Sequence, residues 1–282
     1  MFRRFVRLFV VSAASAAALH GPPPVAAQSI WIPRDRDLSV TLEAVKPNIE
    51  NANEAAFSPV MALTARVPVA SRLWFVGEVP YARIGAGTPD TDPYVYNYTP
   101  NEGSTIGNPY IGLEFHSAGP IFGELGVRPP LTSSKHETAD AVELGMISDF
   151  TNRFEAFYPK LFSVHAAVNL RETTGSHIAY RLRLAPALAI PTEGEADAEL
   201  FAIYSWQVGY EGTDARIGSA ISGRTLLTED YGNVGERTVT QLELHGDFGA
   251  WPVRPGMSLR IPLGEMGHDV SAIWGFTVSY AR

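Results

Sequence analysis

The chain reads as an all-β protein, a transmembrane antiparallel up-and-down β-barrel of about twelve strands. Three observations predict it. Apolar and polar residues alternate from about Leu38 to the C-terminus, the connections alternate between short and long, and the N-terminus has the make-up of an export signal. The last segment is the clearest: Val270, Ala272, Trp274, Phe276, Val278 and Tyr280 fall on one face, with Ser271, Gly275, Thr277 and Ser279 on the other. Successive side chains of a strand point to opposite faces, so this pattern describes a ribbon with one apolar and one polar side.

Arg3, Arg4 and Arg7 precede an apolar run over Phe9–Leu19, and Val25-Ala26-Ala27 has the small residues of a signal-peptidase site. The run falls short of the roughly 20 residues of a spanning helix. The expected organisation is a signal peptide over 1–27, cleaved after Ala27, and a barrel over 28–282 in the outer membrane of a Gram-negative bacterium. Loss of the leader removes three arginines and leaves 19 basic against 30 acidic residues, a net charge of −11. That balance speaks against a nucleic-acid partner. The chain has no cysteine, which removes disulfides and thiolate metal sites.

The strand cores are predicted in order near 38–47, 59–69, 72–84, 108–116, 121–130, 160–171, 176–190, 199–210, 215–227, 237–246, 252–262 and 268–281. Every second connection is tight: Val69–Arg72, Ser117–Pro120, Glu172–Gly175, Glu211–Asp214 and Asp247–Ala250. Their Gly, Pro, Asp and Ser residues supply the backbone angles of turns. The intervening connections are mostly longer and acidic, as in Gly85–Gly107, Leu131–Pro159 and Thr192–Asp197. Short periplasmic turns opposite long external loops, with an even strand count, are the topology of an outer-membrane barrel.

Alternation places Leu38/Val40/Leu42, Leu73/Phe75/Val79, Ile111/Leu113/Phe115, the even residues Phe162 to Leu170, the even residues Ile178 to Leu184, and Met257/Leu259/Ile261 towards lipid. Trp74, Trp206, Tyr210, Phe248, Trp251 and Tyr280 are expected in a periplasmic aromatic girdle, and Tyr81, Tyr110 and Tyr158 in an external one. Thr138–Phe157 admits two readings. Val142, Met146, Phe150 and Phe154 recur at helical spacing behind a Thr138 cap, whereas Val142/Leu144/Met146 also alternate as a strand would. An extra strand would break the even count, so a short helix in an external or lumenal loop is expected, folding into the mouth of the barrel.

The opposite face carries Glu43, Arg66, Glu78, Glu114, His116, Glu124, Arg128, His165, Asn169, Arg171, Arg181, Arg183, Arg216, Gln241, Glu243, His245 and Arg260. Of these, Arg66, Glu114, His116, Glu124, Arg128, His165, Arg181, Arg183, Glu243, His245 and Arg260 are the expected pore lining. In a narrow lumen such groups either set a permeation barrier or pair with one another as a polar filling, and the sequence leaves both open. Signals for catalysis are thin. Ser163 and His165 share a face without a local carboxylate, no G-x-S-x-G elbow occurs, and His136-Glu137 lacks the second histidine of a zinc motif. No catalytic residue, metal or cofactor is therefore expected. Asp90, Asp92 and Glu102, among Tyr94, Tyr96 and Tyr98, read either as a cation or carbohydrate site or as a solvated loop. Gly85-Ala-Gly87 lacks the third glycine of a dinucleotide loop.

Gly107-Asn-Pro-Tyr-Ile-Gly-Leu-Glu-Phe115 resembles a strand of the outer-membrane transporter barrels grouped with the MetA pathway of phenol degradation. Glu143–Phe157 is similar to a helix-bearing loop of small barrels of that type, and Arg254–Pro262 resembles their penultimate strand. The resemblance covers about a third of the barrel and is specific for a barrel more than for any substrate; the expected protein is a monomeric channel or transporter for a small solute, with outer-membrane lipid and the barrel assembly machinery as partners. It brings no catalytic residues. Tyr280 is followed by Ala281-Arg282, a departure from the terminal aromatic of many such barrels. Two alternatives stand beside this reading: an outer-membrane enzyme acting on lipid through Ser163 and His165, and a structural or adhesion barrel working through its loops.

Overall fold

The computed structural model describes residues 38–49, 58–85, 102–228, 234–249, 252–264 and 270–282. The expected leader, Trp251 and most of the tyrosine-rich loop (86–101) lie outside them. Thirteen strand segments follow in chain order: β1 Ser39–Ile49, β2 Val60–Ala70, β3 Leu73–Ile84, β4 Gly103–Ile106, β5 Tyr110–His116, β6 Ile121–Arg128 and β7 Leu161–Thr173. Then come β8 Ile178–Pro191, β9 Glu199–Glu211, β10 Ala215–Leu226, β11 Thr238–Phe248, β12 Val253–Leu263 and β13 Val270–Ala281. Apart from β4 and β5, which both pair with β3, consecutive strands pair antiparallel, and β1 pairs with β13 to close the ring. Closure satisfies the backbone donors and acceptors of the long strands within the wall, as a bilayer demands, while β4 pairs with β3 alone among the described strands.

β4 and β5 are two halves of one stave. Both pair with β3, through Ile84↔Gly103 to Tyr81↔Ile106 at one end and Glu78↔Tyr110 to Leu73↔Phe115 at the other. The barrel thus has twelve staves, one of them interrupted at Gly107-Asn108-Pro109. Gly107 is required there, because a Cβ would stand 2.2 Å from the Ala156 carbonyl oxygen. The half-stave β4 was not anticipated, since its four residues are too few for a pattern. The short connections and Leu38 and Arg282 share one rim, and the last two exchange backbone hydrogen bonds of 3.0 and 2.9 Å.

Burial alternates along the strands, with the buried residues pointing inwards. The outer surface is an apolar band that includes Leu63, Leu113, Leu125, Val168, Leu184, Ile217 and Met257. Trp206, Tyr210, Phe248 and Tyr280 are exposed on it towards the short-turn rim. Trp74 and Tyr110 are not girdle residues. Trp74 faces inwards beneath the Arg66 guanidinium, and Tyr110 is sealed in the lumen, where its ring fills the space left by Gly112 and Gly126. Val270 also departs from the simple alternation. An irregularity in the β1–β13 register pairs Asn48 with Ala272 but Ile49 with Val270, and the extra residue turns Val270 inwards.

The connection over 129–160 folds into the barrel. It carries a 3₁₀ turn at His136–Thr138, the helix α1 at Ala139–Ile147 and a second 3₁₀ turn at Phe154–Ala156. The helical alternative for this segment is therefore the observed one. Thr138 stands at the cap position, but its hydroxyl donates to the Lys135 carbonyl at 2.8 Å instead of capping the helix.

The outward face predicts a depth-dependent cost for charge. Leu184→Arg should lower the unfolding free energy in phosphatidylcholine vesicles by about 2–4 kcal/mol. An unchanged free energy would mean that this face does not meet lipid.

Candidate functional site: a charged lumen closed by its own loop

The loop is held first by Asn108, in the break between β4 and β5. Asn108 is fully buried, and its side chain accepts the Leu131 and Thr132 amides at 2.7 and 2.8 Å. It also donates to the Glu155 and Tyr158 carbonyls at 2.9 and 2.8 Å. One amide group, with its full hydrogen-bonding capacity used, thereby joins both ends of the loop to the wall. Its backbone carbonyl accepts Arg128 Nη1 at 2.8 Å.

The second attachment is apolar. Ala141, Leu144, Phe150, Ala156 and Phe157 of the loop pack with Val45, Val60, Ala82, Ile84, Val239, Val270 and Ile273 of the wall. Phe157 lies against Gly145 of α1, where a Cβ would meet its ring at 2.3 Å. This cluster sits towards the long-loop end of the strands.

The third attachment is a belt of charges across the lumen. Arg153 of the loop reaches Glu43 of β1 and Glu78 of β3, donating to Glu78 through Nε at 2.8 Å. Glu78 also pairs with Arg128 of β6 at 2.6 Å, and Glu43 with Arg260 of β12. Arg260 approaches Glu243 at 3.4 Å and the Ser148 carbonyl of the loop at 3.3 Å. Ser222 donates to Glu243 at 2.9 Å and shares a 2.9 Å hydrogen bond with Thr151 of the loop. Glu155 meets Arg224 of β10 at 2.6 Å. Burial alone would raise the Glu155 carboxyl, but the Arg224 guanidinium outweighs it and keeps the group below the usual carboxylate range. Every side chain in the six ion pairs among these groups is 5 % exposed or less. At this level side chains occupy the cross-section of the barrel.

Towards the short-turn rim the charges pair more locally. Arg66 binds Glu114 at 2.8 Å, with His116 Nε2 3.6 Å from the same carboxylate. Glu124 accepts Tyr110 Oη at 2.5 Å and Arg183 at 2.6 Å. Arg171 and Arg181 converge on Glu211, and Arg216 and His245 on Asp247. A cavity of about 30 Å³ lies among Arg181, Gln207, Glu211, Arg216, His245 and Asp247. That is room for one or two waters. Ser163 and His165 do hydrogen-bond, Oγ to Nε2 at 2.9 Å, with both side chains buried inside the lumen.

All eleven residues expected to line a pore therefore point inwards, and in this closed arrangement they are largely engaged in ion pairs or hydrogen bonds. Sequence reasoning missed Asn108, Arg153, Glu155, Arg224, Glu211 and Asp247. Asp247 continues the inward series Gln241/Glu243/His245 by one step, and Arg224 continues that of Arg216 on β10. Their signal was present in the parity of the strands. Arg153 and Glu155 lie at and in a short 3₁₀ turn, outside the strands, where no parity applies. Of the three carboxylates in the tyrosine-rich loop only Glu102 is described, exposed and paired with Arg83 at 3.0 Å. Among the described residues no cluster of His, Asp and Glu suited to a metal ion occurs.

No known family's sequence profile matches the chain, and no curated protein matches it by sequence. Solved structures do match. An outer membrane channel from Pseudomonas putida F1 superposes with a TM-score of 0.56 at 8% identity, over 91% of this chain and 99% of that one. LpxR from Salmonella typhimurium gives 0.49 at 8% identity, over 86% and 100%, and the NanC porin 0.47 at 8%, over 86% and 98%. At such identities the likeness to the channel is one of fold, that of an outer-membrane β-barrel.

The Asn108 attachment predicts a local effect. Asn108→Ala removes four hydrogen bonds and strands the buried Thr132 amide and Glu155 carbonyl, so the opening free energy of 131–158 should fall by about 2 kcal/mol or more. Native-state hydrogen exchange would read this as lost protection in the loop, with the strands β8–β12 unchanged. Equal protection in the variant would refute the role of Asn108 as the joint of the loop.

Proposed function

We propose that the protein is a channel or transporter for a small solute in the outer membrane of a Gram-negative bacterium, closed in this structure by the loop over 129–160. The observation that carries the reading is the way the loop is held. Arg153 enters between two carboxylates that each have a second arginine on the wall, Arg260 for Glu43 and Arg128 for Glu78. When the loop withdraws, both wall pairs persist and no carboxylate of the pair is left buried alone, the condition that makes broken buried ion pairs costly. A loop that were merely a permanent filling would need no such redundancy.

The path would run past Arg128, His165, Glu243 and Arg260 in the outer half of the lumen. It would continue past Arg66, Glu114, His116, Glu124, Arg181, Arg183 and His245 towards the short-turn rim. The resemblance of Gly107–Phe115 to the MetA-grouped transporter barrels supports the same reading, as does the export-signal pattern of the sequence over 1–27. The Ser163–His165 hydrogen bond is the one feature favouring an enzyme acting on lipid. It is outweighed, because a lipid substrate lies on the opposite side of the wall from these sealed side chains.

In planar bilayers under a salt gradient the purified barrel should show discrete openings with a measurable ion preference. Arg181→Glu combined with Arg183→Glu should shift the reversal potential towards cations. An unchanged potential would remove these arginines from the path. A folded barrel that stays silent even with Arg153→Met would contradict the channel itself.

A further inference from the structure

Arg224 stands apart from the other belt arginines. Arg128 keeps Glu78 and Arg260 keeps Glu43 and Glu243, all on the wall. The carboxylate on Arg224 is Glu155, and the loop supplies it. The guanidinium lies 3.7 Å from the ring centroid of Phe201 on β9 and 5.1 Å from that of Phe154 in the loop. An aromatic face beneath a guanidinium fixes its plane and leaves the donor edge for a planar anion. Glu155 does not use that edge well. The atoms approach to 2.6 Å, yet neither carboxylate oxygen of Glu155 nor either terminal nitrogen of Arg224 has an aligned hydrogen-bond partner, although all four are buried. The 3₁₀ turn that carries Glu155 holds its carboxylate close to the fork and out of register with it.

We propose that Arg224 and Phe201 form a carboxylate-binding subsite of the lumen, which Glu155 occupies as an internal stand-in while the loop is closed. A free carboxylate can align both oxygens with the guanidinium and gain the paired, charge-assisted hydrogen bonds that the loop denies to Glu155. It therefore competes with Glu155 for Arg224. Competition of this kind ties recognition of an acidic solute to the release of the loop. That last link rests on the channel reading, while the subsite does not.

The test uses acetate, which matches the part of the glutamate side chain lost in Glu155→Ala. Calorimetric titration of the whole barrel in detergent should show E155A binding acetate at least about tenfold more tightly than wild type. The double variant with Arg224→Gln should lose the gain, with retained heat-modifiable mobility on gels verifying the fold. Where R224Q fails to fold, Arg224→Lys keeps the charge without the planar fork and should likewise abolish the gain. Acetate bound no better by E155A than by wild type overturns the subsite, and so does tight binding that survives the change at Arg224. Because binding is read without current, a barrel that binds acetate but never conducts refutes the channel and leaves the subsite. One that conducts but gains no acetate affinity refutes the subsite alone.

Discussion

A barrel of twelve staves is too wide for its wall side chains to fill and too narrow to leave their charges in bulk water. That constraint governs the whole molecule. Each inward carboxylate or guanidinium must find an opposite charge or a hydrogen-bond partner, because a lone charge in such an interior costs several kcal/mol. Towards the short-turn rim, strands one or two places apart in the ring satisfy the requirement, as in Arg216–Asp247 and Arg66–Glu114. In the outer half the wall alone does not span the gap, and the loop over 129–160 brings Arg153, Glu155 and Thr151 into it. The interrupted stave at Gly107-Asn108 exists for the same reason. It is where the loop enters and is joined to the wall.

The loop is attached in two physically different ways. The apolar cluster of Phe150 and Phe157 with Ile84, Val239 and Ile273 is stabilised by burial and has no preferred partner geometry. The belt around Arg153 depends on geometry and desolvation, and its wall carboxylates retain other arginines. Loosening the contacts of Arg153 is thus cheaper than their number suggests, whereas Arg224 gives up the carboxylate of Glu155. A closed lumen and a channel are compatible on these terms.

Much of this was legible in the sequence, for a mechanical reason. Strand parity is rigid, so one correctly placed residue fixes the face of its whole strand, and the inward position of all eleven expected residues followed. The same rule, pressed further, would have placed Trp74 with Glu78 and Tyr110 with Glu114 inside the lumen, not in the girdles. It would also have added Arg224 and Asp247. Parity failed where the register slips, as at Val270. What had no sequence signal was the interior of the loop. The helix showed itself by its spacing, but nothing periodic marks Arg153 as reaching Glu43, which is 110 residues away. Such partners are chosen by tertiary structure alone.

The central claim, that the loop is a closure and not a permanent filling, is tested most directly by locking it. The chain has no cysteine, and Thr151 Oγ1 and Ser222 Oγ lie 2.9 Å apart between loop and wall. Single-channel current should be recorded from a Thr151→Cys, Ser222→Cys barrel before and after reduction of the disulfide formed between these positions. Current that is absent in the oxidised barrel and returns on reduction is the predicted result. Equal current in both states would contradict the claim, because ions would then pass with the loop fixed in place.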